Sequence, residues 1–287
     1  MSQLRIYLDT PWQDATSPCP WVLLDERGRV MESGTGILAS LPHADEVVAI
    51  VSAEQVLSVA ILLPKIKTRQ LETALPFALE EHLLGEVAEN HVVPGAKFPG
   101  GETLLYAINK DRLRRFVQVC ASASLRLRSV IPEYCLLPVR DGEWSVAWDG
   151  QSGFVATGQY AGAGLGNGSE QQAPTTLTLH MNQTTPAVLR IFYKAYIPAD
   201  QRLWPVWPGV NFIRVDQDWD WRIAAIPTDA PNLLWGKLAP APRFREWWPK
   251  LRPLLWLGLL VFLLEALGTN LQWWSLAHEK KQIQQSM

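Results

Sequence analysis

The sequence lacks the short motifs by which many catalytic sites are recognised. It contains no GxxxxGK[ST] phosphate loop, no GxSxG nucleophile motif and no HExxH zinc motif. Its five histidines are scattered, and its three cysteines are far apart, with no CxxC or Cys/His ligand spacing: Cys19, Cys120 and Cys135. We therefore predict no catalytic residues, no metal site and no cofactor, and we expect the cysteines to be ordinary buried thiols.

A strong charge of either sign is also missing. The formal net charge is −2 and the sequence pI is about 6.2, so we expect no basic surface that would follow a nucleic-acid backbone. Glu80, Glu81 and His82 are adjacent, and adjacent helical residues do not converge on one metal ion, so we interpret them as a solvated face. The N-terminal MSQLRIYLDT has no basic stretch followed by an apolar one, and we expect no signal peptide.

One long apolar run is present, from Leu254 to Trp274. It holds about 21 residues with one formal charge, Glu265, and at roughly 1.5 Å per residue a helix of this length covers the roughly 30 Å core of a bilayer. Tryptophans flank it on both sides, as at membrane interfaces. We predict one transmembrane helix. The alternative is a buried helix of a soluble core, which the lack of a polar stripe in its first turns disfavours.

The distribution of basic residues predicts the orientation of this helix across the membrane. They are concentrated before it, at Lys237, Arg243, Arg245, Lys250 and Arg252, whereas only Lys280 and Lys281 follow it. The positive-inside rule therefore places the N-terminal part in the cytoplasm and the C-terminus on the other side. We assign residues 241–253 to a Pro-rich basic juxtamembrane linker, 254–274 to the membrane helix and 275–287 to the start of an external segment.

The first part of the chain, residues 1–140, has the pattern of an α/β unit. We predict strands at Leu4–Leu8, Trp21–Asp25, Glu46–Ala53, Leu57–Pro64, Glu102–Lys110 and Leu125–Pro132, the second paired with RVMESG in a hairpin around the turn ERG. Helices are predicted within Lys67–His91, kinked at Pro76 and with Gly85 available to end the first helix, and at Asp111–Ala123.

A second unit is predicted at residues 141–240. Trp144–Thr157 is expected to form two strands around the turn DGQSG, and Ala161–Pro174 a flexible Gly- and Ser-rich loop. Further strands are predicted at Thr176–Met181 and Ala187–Tyr193, and a short helix at Trp219–Pro227. Two tandem β-rich α/β units resemble the actin-like, ribonuclease H-type fold, so we predict a two-lobed α/β domain of this type followed by the membrane helix.

Two segments resemble one known family. LPKIKTRQLETALPFALEEHLLGEVAENHVV, from Leu63 to Val93, resembles the LPxxLEE-type helix of the type II secretion system protein L family. NLLWGKLAP, from Asn232 to Pro240, resembles that family's NLLQG-type signature before its membrane helix, with Trp235 where a glutamine is more usual. The family continues into a small periplasmic domain of ferredoxin-like type, whereas this sequence ends at Met287, so we expect that domain to be missing.

The resemblance implies a function. It predicts a bacterial inner-membrane platform, single-pass with a cytoplasmic N-terminus, that holds the secretion ATPase (the E protein) at the membrane. It also implies contacts with the single-span M protein and with the C and F proteins, and we expect a homodimer. The alternative is a membrane-tethered actin-like ATPase or filament protein, and a signal-anchored enzyme of unknown chemistry is a third interpretation.

The two turns that could bind phosphate in an actin-like fold favour the scaffold. Asp9-Thr10-Pro11-Trp12 is a poor phosphate cradle because Pro11 has no N–H and Trp12 is bulky. Asp149-Gly150-Gln151-Ser152-Gly153 is a better candidate, yet DG followed by SG is also ordinary turn chemistry. We therefore predict that the chain is not an enzyme.

Two groups of residues are candidate partner contacts. Tryptophans are dense in the second unit and are common at interface hot spots: Trp204, Trp207, Trp219 and Trp221. The alternative is that these rings fill the core. On the membrane helix, small and polar residues share one face with Glu265 and have the character of a helix–helix interface: Gly258, Val261, Glu265, Gly268, Thr269 and Gln272. The alternative for Glu265 is that its carboxylate reaches water at the outer interface.

Overall fold

In a computed structural model, the described residues are 2–63, 68–83, 85–168, 173–195, 198, 210–240, 252, 256–258 and 265. The chain divides into two compact units, Met1–Ala239 and Pro240–Met287. In the first unit, three α-helices are described: α1 (Thr68–Ala78), α2 (Lys110–Ser122) and α3 (Thr175–Gln183). The strands are β1 (Gln3–Leu8), β2 (Cys19–Leu24), β3 (Val30–Gly36), β4 (Glu46–Val51), β5 (Val56–Leu62), β6 (Asn90–Lys97), β7 (Glu102–Asn109), β8 (Leu127–Pro132), β9 (Glu143–Trp148), β10 (Gly153–Gly158), β11 (Ala161–Gly164), β12 (Val188–Tyr193) and β13 (Phe212–Arg214).

Two five-stranded sheets share one topology. The first has the order β3-β2-β1-β4-β8, with antiparallel β1-β2 and β2-β3 pairs and parallel β1-β4 and β4-β8 pairs. The second repeats it as β11-β10-β9-β12-β13, again with two antiparallel and two parallel pairs. This duplicated 3-2-1-4-5 order is the ribonuclease H-type arrangement predicted from the sequence. We call the two parts built on these sheets the first and second lobes.

The inner strands of both sheets are apolar because both of their faces are covered. In β4, Val47 to Val51 are all buried, and in β9, Trp144 to Trp148 are all buried, as expected for strands with packing on both sides. Buried residues of the two lobes join in one core, in which Leu4 and Ile50 of the first lobe belong to the same cluster as Phe154 of the second.

A third sheet is inserted between β4 and β8. It has the order β5-β7-β6 with antiparallel pairs, and Leu75 of α1 and Leu79, just after α1, pack on it. The sequence correctly predicted β5 and β7 as strands, but it did not predict β6. The helix predicted within Lys67–His91 is short. It ends at Ala78, two residues after Pro76, and the next turns are 3-10.

Helix α2 has the predicted amphipathic pattern. Leu113, Phe116 and Cys120 are buried, and the side chain of Asn109 caps the helix by accepting a hydrogen bond from the N–H of Arg112 at 2.9 Å. Helix α3 covers the second sheet, where Leu177 and Met181 join its core. The predicted strand at Thr176–Met181 was therefore wrong, because the i,i+4 pair of apolar residues faces the sheet as one helical stripe.

Two other local predictions were wrong. Ala161–Gly164, predicted as part of a flexible loop, forms the edge strand β11, because small residues allow this strand to lie close to the first lobe. Trp219–Pro227 is not helical; Trp219 forms a parallel β-bridge with Lys194, and a turn follows.

Among the described residues, no helix is long and apolar enough to cross a membrane. Most of the predicted membrane helix, residues 254–274, lies outside the described residues. In the second unit, residues 252, 256–258 and 265 are helical. The domain boundaries predicted after residues 140, 240, 253 and 274 remain predictions.

Candidate functional site

The first candidate phosphate turn, residues 9–12, is tied into the first lobe. Trp12 is 1% exposed and packs edge-on against Phe116, with 5.3 Å between ring centroids. The Arg112 guanidinium donates hydrogen bonds to the carbonyls of Asp9, at 2.5 Å, and Thr10, at 3.1 Å. The turn thus presents carbonyl oxygens to a cation, whereas a phosphate would require N–H groups.

The second candidate turn is closed by its own aspartate. Asp149 Oδ1 accepts hydrogen bonds from the N–H groups of Gln151, at 3.0 Å, and Ser152, at 2.6 Å, and Lys194 Nζ lies 3.2 Å from Oδ2. Burial acts to raise the pKa of Asp149, but the hydrogen bond from Ser152 and the charge of Lys194 outweigh it and lower that pKa. The N–H groups that could meet a phosphate are used inside the turn.

A cleft of about 420 Å³ is lined by residues of both lobes, among them Tyr7, Asp9, Glu133, Lys194, Trp219 and Trp221. Glu133 is 3% exposed and accepts hydrogen bonds from the Tyr7 hydroxyl and the Ala53 N–H, both at 2.7 Å. Burial raises the pKa of Glu133, and the nearby Lys194 charge opposes this. These polar groups bond to one another across the base of the cleft.

The two lobes are in close contact beside the cleft. The Ser58 hydroxyl on β5 donates to the Gly162 carbonyl on β11, at 2.7 Å, and accepts from the Gly162 N–H, at 3.0 Å. A Cβ on Gly162 would lie 2.4 Å from the Val155 carbonyl oxygen and 2.6 Å from a ring carbon of Tyr134. The Tyr106 hydroxyl also donates to the Tyr160 carbonyl at 3.0 Å. Only glycine fits at position 162, and the lobes are packed without an opening there.

Residues 219–235, which we call the strap, return from the second lobe across the first. The buried Arg5 guanidinium donates to the carbonyls of Trp221, at 3.2 Å, and Ala224, at 2.7 Å. Burial lowers the pKa of Arg5 to about 10, although the charge of Asp220 opposes the shift. The rings of Trp221 and Tyr7 lie 5.3 Å apart.

The end of the strap docks on the outer edge of β8. Leu233 donates its N–H to the Val130 carbonyl at 2.8 Å, and its own carbonyl contacts His91 Nε2 at 3.0 Å. Asn232 Oδ1 accepts from the N–H groups of Val130 and Leu234, both at 3.0 Å. Leu233 is fully buried. The NLL segment therefore continues the first sheet at the place where the chain leaves the globular unit.

Comparison with known proteins identifies the family. A family model described as "Type II secretion system (T2SS), protein L" matches residues 18–194, more than half of the chain. The chain belongs to this family. The match includes the LPxxLEE-type segment, so the family resemblance predicted from the sequence is confirmed.

Two curated members of the protein L family match part of this chain in sequence. The type II secretion system protein L of Dickeya chrysanthemi is 26% identical over 139 residues, 46% of this chain and 35% of the relative. That of Pectobacterium carotovorum subsp. carotovorum is 26% identical over 134 residues, 47% of this chain and 31% of the relative. The matched part spans about a third of the length of each relative.

A solved structure shares the fold. It is the cytoplasmic domain of EpsL, an inner-membrane component of the type II secretion system of Vibrio cholerae, with a TM-score of 0.64 and 18% identity, covering 83% of this chain and all of that structure.

The candidate contact residues of this protein L chain lie in different environments. Trp219 is 7% exposed and packs edge-on against Phe154, with ring centroids 4.9 Å apart. Trp221 is half-buried and lines the cleft. Six of the candidates lie outside the described residues: Trp204, Trp207, Val261, Gly268, Thr269 and Gln272. Gly258 and Glu265 are described only as helical positions, and all of these partner contacts remain predictions.

Sequence reasoning missed the residues that join the lobes. Arg5 and Ser58 lie within predicted strands, where a single polar residue is usually solvent-facing. Gly162 lies in a Gly-rich run that is typical of a loop. No local signal distinguishes these residues, because their partners are about 100 residues or more away in the chain.

Proposed function

We propose that this chain is an inner-membrane platform component of a type II secretion system that recruits the secretion ATPase, the E protein, from the cytoplasm. In this proposal residues 254–274 cross the membrane once, with residues 1–240 in the cytoplasm as two subdomains and the C-terminus in the periplasm. The membrane helix pairs with a second copy or with the M protein, and the platform is coupled to the C and F proteins. The match of residues 18–194 to protein L carries the proposal.

The geometry of the cleft supports a scaffold without catalysis. An actin-like ATPase needs N–H groups directed at the phosphates and lobes that move on nucleotide binding. Here the Asp149 turn closes on its own carboxylate, and the Asp9 turn offers carbonyl oxygens that Arg112 already binds. The lobes are held together at Gly162. Such a unit is suited to present a constant surface to a partner.

Isothermal titration separates the scaffold from an ATPase. The full chain in detergent is titrated with Mg-ATP, and we expect no heat of binding and no phosphate release. Tight binding together with a turnover that disappears in Asp149→Ala would contradict the non-catalytic assignment and favour a membrane-tethered ATPase.

A further inference from the structure

The edge strands of the three described sheets differ in how well they are protected from pairing with a strand of another molecule. The edge of β8 is covered by the strap. Strands β5 and β11 are bonded to each other through Ser58 and Gly162. Strand β6 contains Pro94 next to an irregular register, and α1 packs against it, while β13 has only three residues. Short strands, prolines and covering segments are the usual means of preventing edge-to-edge pairing.

Strand β3 has none of these protections apart from one bulge. All residues from Val30 to Thr35 are exposed, and Met31 is 64% exposed. The strand contains no proline and no lysine, and its single charge is Glu32. Within the described part of the chain, β3 pairs only with β2, so its outer main-chain groups are available. The bulge at Met31 leaves Glu32 to Gly36 as the regular part of the edge.

We propose that β3 pairs antiparallel with β3 of a second copy of this chain, across a two-fold axis, so that the two first sheets become one ten-stranded sheet. An extended edge strand is a main-chain template for another strand, and a two-fold axis presents the same strand from both copies.

Charge and side-chain size support a second copy as the occupant. With Ser33 on the axis, Glu32 faces Gly34 of the other copy; with Gly34 on the axis, Glu32 faces Gly36. In both registers the carboxylate lies opposite a glycine, so like charges are not opposed and no bulky pair collides. The pairing of β3 does not rest on the Glu265 face or on the recruitment of the ATPase, so either of those proposals can fail without it.

Cysteine crosslinking in the full chain, reconstituted in liposomes, tests the pairing. The residue on the axis lies about 5 Å, Cα to Cα, from its equivalent, within disulfide reach, whereas the residues next to it lie about 8 Å from theirs and residue 30 about 20 Å or more. We expect Ser33→Cys or Gly34→Cys, whichever position lies on the axis, to form disulfide dimers at least tenfold faster than Val30→Cys or Ser122→Cys, an exposed position on α2. The native cysteines are buried, so the unmodified chain gives the background. Equal rates at all four positions, or no dimer, would overturn the proposal.

A charge pair distinguishes self-pairing from pairing with a different strand. In chains that carry the crosslinking cysteine at one of positions 33 and 34, a lysine alone or a glutamate alone at the other position should each lower dimer formation at least twofold, because the two equivalent like charges then lie about 8 Å apart. A mixture of the two should restore it. Leu179→Lys, at an exposed position on α3, is the matched control, and melting temperatures report folding. If the mixture stays as low as the separate variants, the occupant of β3 is not a second copy.

Discussion

Ser58 and Gly162 join the three-stranded sheet to the second lobe through two hydrogen bonds, one in each direction. The pair depends on the missing side chain of Gly162, because a Cβ there would overlap the Val155 carbonyl and the Tyr134 ring. This is the point at which an insertion of the first lobe prevents the separation of the two lobes.

Gly162→Ala should therefore destabilise the protein. The added methyl forces β11 away from β10 and Tyr134, and overpacking of this kind costs about 2 to 3 kcal/mol. Urea unfolding of the full chain in detergent measures the loss. Gly100→Ala is the matched control, since no atom lies within 4 Å of its added Cβ. Equal stability of the two variants would show that the lobes are not closely packed at Gly162.

Asn232→Ala should loosen the end of the strap. It leaves the N–H groups of Val130 and Leu234 without their acceptor in a buried position, at a cost of about 2 kcal/mol. Hydrogen exchange at these two amides should accelerate, whereas Asn182→Ala, at an exposed position of α3, should leave both rates unchanged. Slow exchange at Val130 in the Asn232→Ala variant would contradict the role assigned to this side chain.

The pKa of Glu133 predicts a pH dependence with a definite direction. Because burial raises its pKa in the folded state, Glu133 favours folding most at a pH below its ordinary pKa, and this contribution is lost as the pH rises through the folded value. Glu133→Gln keeps the shape and removes the titration. The stability of the unmodified chain relative to this variant should therefore fall as the pH rises above about 4.3, the ordinary pKa of glutamate.

Asp149→Asn is the opposite case and serves as the comparison. The pKa of Asp149 is lowered in the folded state, so its contribution is present above its ordinary pKa and is lost as the pH falls. The stability of the unmodified chain relative to Asp149→Asn should rise with pH up to about 3.9, the ordinary pKa of aspartate, and stay level above it. Parallel slopes for the two variants would contradict the assigned environments.

Crosslinking along the membrane helix tests the Glu265 face. A carboxylate inside a bilayer is costly when it faces lipid, so it should face a partner helix. Cysteines at positions 258, 265 and 272 should form strong crosslinks between chains, and cysteines at positions 260 and 263 weak ones. Equal crosslinking around the helix would remove the predicted interface.

The sequence predicted strands and helices correctly where one pattern of apolar residues dominates. β4 is a continuous run of buried apolar residues, and α2 has a clear apolar stripe, so both were predicted within a residue or two of their bounds. The presence of two similar α/β units was inferred from the repeated succession of hairpin, strands and helix, whereas the order of the strands within their sheets was not predicted. In these elements, local pattern and tertiary packing require the same conformation.

The errors arose where packing decides between two conformations. TLTLHM alternates like a strand, yet Leu177 and Met181 are spaced for one helical face that covers the second sheet. At Trp221 and Ala224, Arg5 binds the carbonyls that a helix would have used. The NLLWG segment was recognised as a family signature, but its attachment to β8 depends on Val130, about 100 residues earlier, and no local pattern contains that information.

Recruitment of the secretion ATPase is tested most directly by flotation. The full chain is reconstituted in liposomes, purified E-type ATPase is added without nucleotide, and the liposomes are floated through a density gradient. The account predicts that the ATPase floats with liposomes that carry the chain and stays at the bottom with empty liposomes. An ATPase that remains at the bottom in both cases would contradict the proposed function.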